Sequence, residues 1–350
     1  MVKQVADLQG LFEPPERPVR DLSVKEIECY TRERVIHVRG VLSDAWLQLI
    51  ASVIDELTQS GGLQSMAANA WHTNDAMHRI IMTCPVAHLA QQVLDHIAPA
   101  GDPEPTGTSK PIRFFYDQMF VKHPKDHVEG EPWESLTDPR GHLGNTPWHQ
   151  DITFWPVSGE QIVSIWIALD RTDLSNGGLE FVPGSSDFLD RYEAVGVGHD
   201  GRIRFASDTL KSLPKINSVT SGESGAELSS ISFDMEAGDI LIFDSKILHG
   251  APPNISGRPR RGLSLRYLGS DVVVDDAKYG EGTVMAPFDC YDDSLANGDS
   301  VRGYAYPQIL PVKLASEIER RLDGPLSPSQ VKMGRWLERN RTLSEDRELS

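Results

Sequence analysis

Two hydrophobic periodicities divide the chain near residue 110. Residues 1–20 are rich in proline and charge and read as an extended lead-in. In Leu22-Ser23-Val24-Lys25-Glu26-Ile27, a serine stands three places before a glutamate, the capping-box pattern that opens a helix. Val35-Ile36-His37-Val38 predicts a short strand. Ser43 can cap a second helix, in which Trp46, Ile50, Val53, Ile54 and Leu57 recur at helical spacing until Gly61-Gly62 ends it. A further helix begins near Pro85, with Val86, Leu89, Val93 and Ile97 on one face. The first hundred residues are therefore expected to be mostly helical.

After a Pro/Gly-rich stretch at 99–111 the period shortens. Segments 112–122, 161–169, 179–182, 239–248 and 262–268 are short, rich in β-branched and aromatic residues, and bounded by turn residues. The expected fold is mainly β, an antiparallel barrel or sandwich with a helical N-terminal layer packed against it. Two long loops, 123–147 and 186–235, interrupt the strands, and connections of that length usually act as lids or binding loops. Helices are expected at 313–322 and 328–341. The chain reads as one domain over 1–350: helical support to 110, a β core over 111–270 and a C-terminal extension over 271–350.

Composition narrows the function without naming it. The chain has 350 residues, 39% of them hydrophobic, and a net charge of −17, so its surface repels phosphate backbones and no nucleic-acid partner is expected. No apolar run approaches the roughly 18 residues of a membrane span. The N-terminus lacks the basic-then-apolar pattern of a secretory signal, and the C-terminus is not of the Ser-Lys-Leu type. A cytoplasmic protein with no membrane partner, monomeric or homodimeric, is the expectation. Cys29, Cys84 and Cys290 are scattered and odd in number, which suits free thiols rather than a disulfide framework.

The chemistry centres on His149-Gln150-Asp151. On a strand, residues i and i+2 share a face, so one imidazole and one carboxylate could reach the same cation. His249 follows 98 residues after Asp151, at the end of the apolar segment Gly238-Asp239-Ile240-Leu241-Ile242-Phe243. Two histidines and a carboxylate on one side of an ion leave the opposite positions open, the facial triad of non-haem iron(II) oxygenases. His-x-Asp alone is weak evidence, since chance places it on the order of once in such a chain. The rival His127-Val128-Glu129 lies among charged residues with no strand pattern and reads as solvated loop. Aromatic flanks strengthen the first site: Pro147-Trp148 precede it and Phe154-Trp155 follow. Such residues keep water from a metal.

Beyond His249 runs Arg258-Pro259-Arg260-Arg261-Gly262-Leu263-Ser264-Leu265-Arg266-Tyr267. Alternation sends Leu263, Leu265 and Tyr267 toward the helical layer, and Arg260, Gly262, Ser264 and Arg266 toward the barrel mouth. A buried arginine needs an anionic partner. Arg260 is assigned the distal carboxylate of a dicarboxylate cosubstrate, gripped in bidentate fashion, with Ser264 adding a hydrogen bond. Arg266 is expected to pair with a loop carboxylate, and Arg258 and Arg261 to form a surface basic cluster.

Ordered blocks then make the chain recognisable. They are Leu22-Ser23 through Val41-Leu42-Ser43, Tyr116-Asp117-Gln118-Met119-Phe120-Val121-Lys122, Pro147-Trp148-His149-Gln150-Asp151 and Trp166-Ile167-Ala168-Leu169-Asp170. Asn176-Gly177-Gly178-Leu179, Val182-Pro183-Gly184-Ser185, Gly238-Asp239 and His249-Gly250 with Asn254 and Arg260 complete the series. Over residues 20–270 the chain resembles the phytanoyl-CoA dioxygenase family. The resemblance implies a double-stranded β-helix, or jelly-roll, core. It implies iron(II) held by His149, Asp151 and His249, and 2-oxoglutarate and O2 as cosubstrates. It also implies a cosubstrate pocket of Arg260 with Trp166 and Gln118. Ala251 departs from it, standing where the family often has serine. The implied reaction is oxidation, most simply hydroxylation, of a C–H bond in a small molecule, with release of succinate and CO2. Asp151 argues against halogenation, which needs the carboxylate's place on the metal. Specialised-metabolite tailoring is the preferred setting. An acyl-CoA or lipid hydroxylase, a non-enzymatic jelly-roll metal-binding module and a zinc hydrolase with the same ligands are the alternatives.

Overall fold

A computed structural model describes residues 15–59, 66–72, 74–99, 111–122, 146–188, 190–198, 201–205, 210–219, 228–275, 295–303 and 305–310. The helical layer comes first. Helix α1 (Val24–Glu33) opens on Ser23, whose side chain accepts from the Glu26 N–H while the Glu26 carboxylate accepts from the Ser23 N–H. Helix α2 (Asp44–Gln59) is capped by Ser43 Oγ, which accepts from the Trp46 N–H. Helix α3 (Asp75–Thr83), capped by Asn74, is an addition to the predicted elements, and α4 (Val86–Leu94) follows Pro85. The glycine pair predicted to end α2 lies outside the described residues.

Two antiparallel sheets face each other behind this layer. The larger is built from β1 (Val35–Val38), β2 (Met66–Ala68), β3 (Ile112–Lys122), β5 (Ile162–Ala168), β8 (Ile240–Asp244), β10 (Arg260–Leu268) and β11 (Gln308–Leu310). Its order is β1-β8-β5-β10-β3-β11, with β2 also on β3. The smaller holds β4 (Thr146–His149), β6 (Glu180–Phe181), β7 (Ile231–Ser232) and β9 (His249–Ala251), in the order β7-β6-β9-β4. This is the expected jelly-roll core with helices against one sheet.

Alternation decides what each face of the large sheet touches. Val163, Ile165 and Ile167 of β5, Ile240 and Ile242 of β8, and Leu263, Leu265 and Tyr267 of β10 are fully buried against Ile50, Ile54, Leu89 and Val93 of the helices. The intervening residues point the other way. Trp166, Leu241 and Phe243 pack with Phe181 of the small sheet. One face is thus sealed by helices, and the other looks across a narrow aromatic cleft. Gly238, at φ 91°, makes the tight turn into β8 that a side-chain-bearing residue would resist.

Part of the predicted loop 186–235 carries strands. Ala194–Gly198 pairs with Gly201–Phe205, and Ile216–Asn217 with Leu228–Ser229. The small sheet recruits β7 from the same region. The two-residue strands among these carry too little periodicity to be read from sequence. Of the loop 123–147, residues 123–145 lie outside the described residues, as do His127, Glu129, Cys290 and both helices expected after 311. Residues 308–310, past the predicted core boundary at 270, add an edge strand to β3. Cys29 and Cys84 are free thiols. Among the described residues no helix is long and apolar enough to cross a membrane.

His72, beside Trp71 with ring centroids 3.8 Å apart, sits in the short turn that joins β2 to α3. Burial, reinforced by His78, pushes its pKa down to about 3. An unfolded histidine titrates near ~6.5, so the unfolded chain binds the extra proton over that interval. The neutral, buried ring therefore contributes its full share to stability above about 6.5, and that share is lost as the pH falls toward 3. In urea denaturation, the wild-type midpoint should drop more steeply between pH 6.5 and 4.5 than that of His72→Phe. Parallel pH curves would mean that His72 is not held neutral by the fold.

Candidate metal centre and cosubstrate pocket

Strand pairing brings the two histidines together. His149 ends β4 and His249 begins β9, and the two are direct cross-strand partners. Their ring centroids lie 4.2 Å apart. Gly250 lets the strands approach, since a Cβ there would stand 3.0 Å from the Thr146 carbonyl oxygen. Asp151 reaches the same point by a different route from the predicted strand alternation. The strand stops at His149, Gln150 stays extended, and Asp151 opens a 3-10 turn over Asp151–Phe154, pinned by the Ile152 N–H donating to the Ser245 carbonyl. His249 likewise does not end the apolar strand β8. A turn over residues 245–248 separates them, and His249 belongs to the opposite sheet.

The three side chains present one ligand atom each within 4.8 Å of one another. Asp151 Oδ1 is 3.4 Å from His149 Nε2 and 3.8 Å from His249 Nε2. Each imidazole has its Nδ1 on a backbone carbonyl two residues upstream: Pro147 at 2.7 Å and Ile247 at 3.0 Å. A carbonyl only accepts, so each Nδ1 must carry the proton and each Nε2 keeps its lone pair for a metal. Burial, with His149 reinforcing it, pushes the His249 pKa down to about 4, which keeps the ring in the neutral, ligating form. Burial alone would raise the Asp151 pKa. His249 and Arg266, with His149 beside it, outweigh it and hold the carboxyl well below its usual range. Phe154 packs on His149, and Phe181 and Phe243 on His249.

Behind Asp151, Ser164 Oγ donates to Oδ2 at 3.3 Å and Arg266 Nε approaches the same atom at 3.8 Å. Arg266 is 3% exposed, with its guanidinium 4.2 Å from the Tyr116 ring centroid and 5.5 Å from that of Trp155. Its Nη2 donates to Gln118 Oε1 at 3.0 Å. The expectation that Arg266 pairs with a loop carboxylate is thus corrected: it faces Asp151 of the triad. An irregularity in the β10–β3 register between Leu265 and Tyr267 falls at Arg266, the kind of bulge that re-aims a side chain beside an active site.

Arg260 enters the same cleft from the other end of β10. It is 2% exposed, its Nη2 donates to the Gly177 carbonyl at 2.8 Å, and its guanidinium lies 5.4 Å from the Trp166 ring centroid. Gly262 makes room for that indole, because a Cβ there would fall 2.1 Å from Trp166 Cζ2. Burial lowers the Arg260 pKa to about 10. Arg260 Nε, Ser264 Oγ, and Arg266 Nε and Nη1 are buried without a hydrogen-bond partner. Unpaired donors along one strand face fit an anionic group in the cleft. Arg261 is not part of a surface cluster: it bridges Asp170 at 2.7 Å and Asp55 of α2 at 2.6 Å. Arg258 is the exposed one and pairs with Asp173 at 2.7 Å. Sequence reasoning overlooked Ser164 and Lys122, although alternation from Trp166 and Gln118 places both on the cleft face.

A model of the phytanoyl-CoA dioxygenase family matches residues 35–262, which include most of the two sheets, the His149–Asp151–His249 triad and Arg260. The chain belongs to that family. Dioxygenase lolE1 of Epichloe uncinata is 32% identical over 127 residues, 36% of this chain and 41% of that relative, so the match spans less than half of its length. Among solved structures, the carbocyclase SnoK from nogalamycin biosynthesis is similar with a TM-score of 0.56 at 18% identity, over 85% of this chain and 100% of that one. The epimerase SnoN, solved with Fe3+, α-ketoglutarate and nogalamycin RO, has a TM-score of 0.55 at 19% identity, over 81% and 97% of the two chains. EctD from S. alaskensis reaches 0.50 at 13% identity, over 77% and 83%. At these identities the likeness is one of fold.

Arg266→Gln should weaken metal binding to the folded protein roughly 10- to 100-fold, because Asp151 would lose the cation that orients it. Anaerobic titration with Co(II), followed by its visible bands, measures this. Unchanged affinity would show that Ser164 and the strand geometry suffice.

Proposed function

We propose that His149, Asp151 and His249 hold iron(II), that Arg260, Ser264, Trp166 and Gln118 form the 2-oxoglutarate pocket, and that the protein hydroxylates a C–H bond of a small organic molecule. Succinate and CO2 would be the co-products and the cytoplasm the place of action, with the chain monomeric or homodimeric. The observation that carries the reading is the joint placement of the triad and the unpaired donors of β10 in one cleft. A metal triad alone would suit a hydrolase. A buried arginine on the same strand face, with a free Nε and an indole floor, suits a dicarboxylate. Iron with 2-oxoglutarate supplies oxidising power from O2 that no protein side chain has.

The protein's own share is positional. The two Nδ1–H···O=C bonds present both Nε2 lone pairs to one point. Asp151 contributes one oxygen there while Ser164 and Arg266 occupy its other side. Phe154, Phe181 and Phe243 keep the ligating rings dry. Arg260 sets how a dicarboxylate lies along β10, and Trp166 supports its guanidinium. The triad retains its carboxylate, which supports hydroxylation over halogen transfer. SnoK and SnoN are named for nogalamycin biosynthesis, which supports a setting in specialised-metabolite biosynthesis for this chain as well.

Anaerobic addition of Fe(II) and then 2-oxoglutarate should produce a weak visible charge-transfer band in the wild type and none in His149→Ala. A wild type without the band would sink the iron–keto-acid reading. Arg260→Ala should raise the 2-oxoglutarate concentration needed for the band at least tenfold while the iron requirement stays within about twofold. Equal effects on both would remove Arg260 from the cosubstrate site.

A further inference from the structure

Lys122 ends β3 directly across from Arg260, its cross-strand partner on β10. Alternation along β3 puts Gln118, Phe120 and Lys122 on the cleft face, the face that Arg260 also occupies. The lysine is half-buried, and Nζ donates to the Pro252 carbonyl at 2.5 Å and to that of Ala251 at 3.3 Å. Its stem runs along Gly177, where a Cβ would stand 2.6 Å from Lys122 Cδ. The Gly177 carbonyl is also the acceptor for Arg260 Nη2. Both cations thus converge on one corner, between Gly177 and the segment that leaves β9.

Among the described residues no carboxylate is hydrogen-bonded to either cation of this corner. The contacts of Lys122 Nζ are carbonyls, which use two of its three donors. Asp170, whose charge acts on Arg260, is hydrogen-bonded to Arg261 through both oxygens. Burial and the like charge of Arg260 push the Lys122 pKa well below that of an ordinary lysine. Two like charges drawn together out of water are unfavourable unless an anion lies between them. A carboxylate placed there would accept from Arg260 Nε, which is buried without a partner, and from the third Nζ–H.

We propose that Lys122 is a second cation of the cosubstrate site, sharing the distal carboxylate of 2-oxoglutarate with Arg260. The inference rests on the iron–keto-acid reading above and assigns a positioning role to a residue that this reading does not use. It makes the pocket selective for a keto acid with a second carboxylate, because carbonyls leave the charge of Lys122 beside Arg260 unneutralised and a carboxylate offsets it.

The test compares two keto acids on the anaerobic iron protein: 2-oxoglutarate and 2-oxobutyrate, which chelates a metal in the same way but lacks the distal carboxylate. Lys122→Met should raise the dissociation constant for 2-oxoglutarate roughly 10- to 100-fold and leave that for 2-oxobutyrate within about twofold. Lys122→Arg should recover most of the loss. If the methionine variant does not fold, Lys122→Gln keeps a donor for the carbonyls while removing the charge, and the same selectivity loss is expected. Unchanged 2-oxoglutarate affinity, or equal weakening of both keto acids, would overturn the assignment. Absence of any band with wild-type protein is a separate failure, that of the iron reading itself.

Discussion

The antiparallel pairing of β4 with β9 is the contact on which the site depends. It sets His149 opposite His249 across nearly a hundred residues of chain. Everything that stabilises the pairing therefore serves the metal centre. The glycine at 250 permits the close approach, and Phe181, Phe243 and Leu241 pack the small sheet against the large one. The helical layer acts at one remove. By covering one face of β5, β8 and β10 it forces their polar residues to the other, so the cleft is polar because the opposite face is dry.

That partition concentrates charge along a single strand. β10 carries Leu263, Leu265 and Tyr267 into the helical core and Arg260, Ser264 and Arg266 into the cleft. The arginines do different work because of what each meets. Arg266 lies between aromatic rings beside the Asp151 carboxylate, and Arg260 lies on Trp166 with a donor to spare. Buried donors without partners are unfavourable, and an anion between them would satisfy them.

The candidate site was legible where chemistry and spacing coincide. His149, Asp151 and His249 stood out by residue type, and Arg260 and Ser264 by alternation downstream of His249. Less was legible where geometry departs from regular structure. Strand alternation brought Asp151 into the triad for a partly wrong reason, since Asp151 sits on a 3-10 turn. Arg266 found its partner through a register irregularity that no periodicity announces. Arg261, expected at the surface, is taken up by Asp170 and Asp55 from two distant segments.

The amino-acid sequence by itself determined most of the longer helical and strand segments, the two-faced character of β10 and the candidate metal-ligating set. These follow from local periodicity and side-chain chemistry, which act over a few residues. Only the tertiary structure decided which side chains stand next to one another. Asp151 faces Arg266, Lys122 stands across from Arg260, and β7 is drawn into the small sheet because strands distant in sequence pair there. Pairing energies depend on which faces are buried together, and that is a property of the assembled sheets rather than of any one segment.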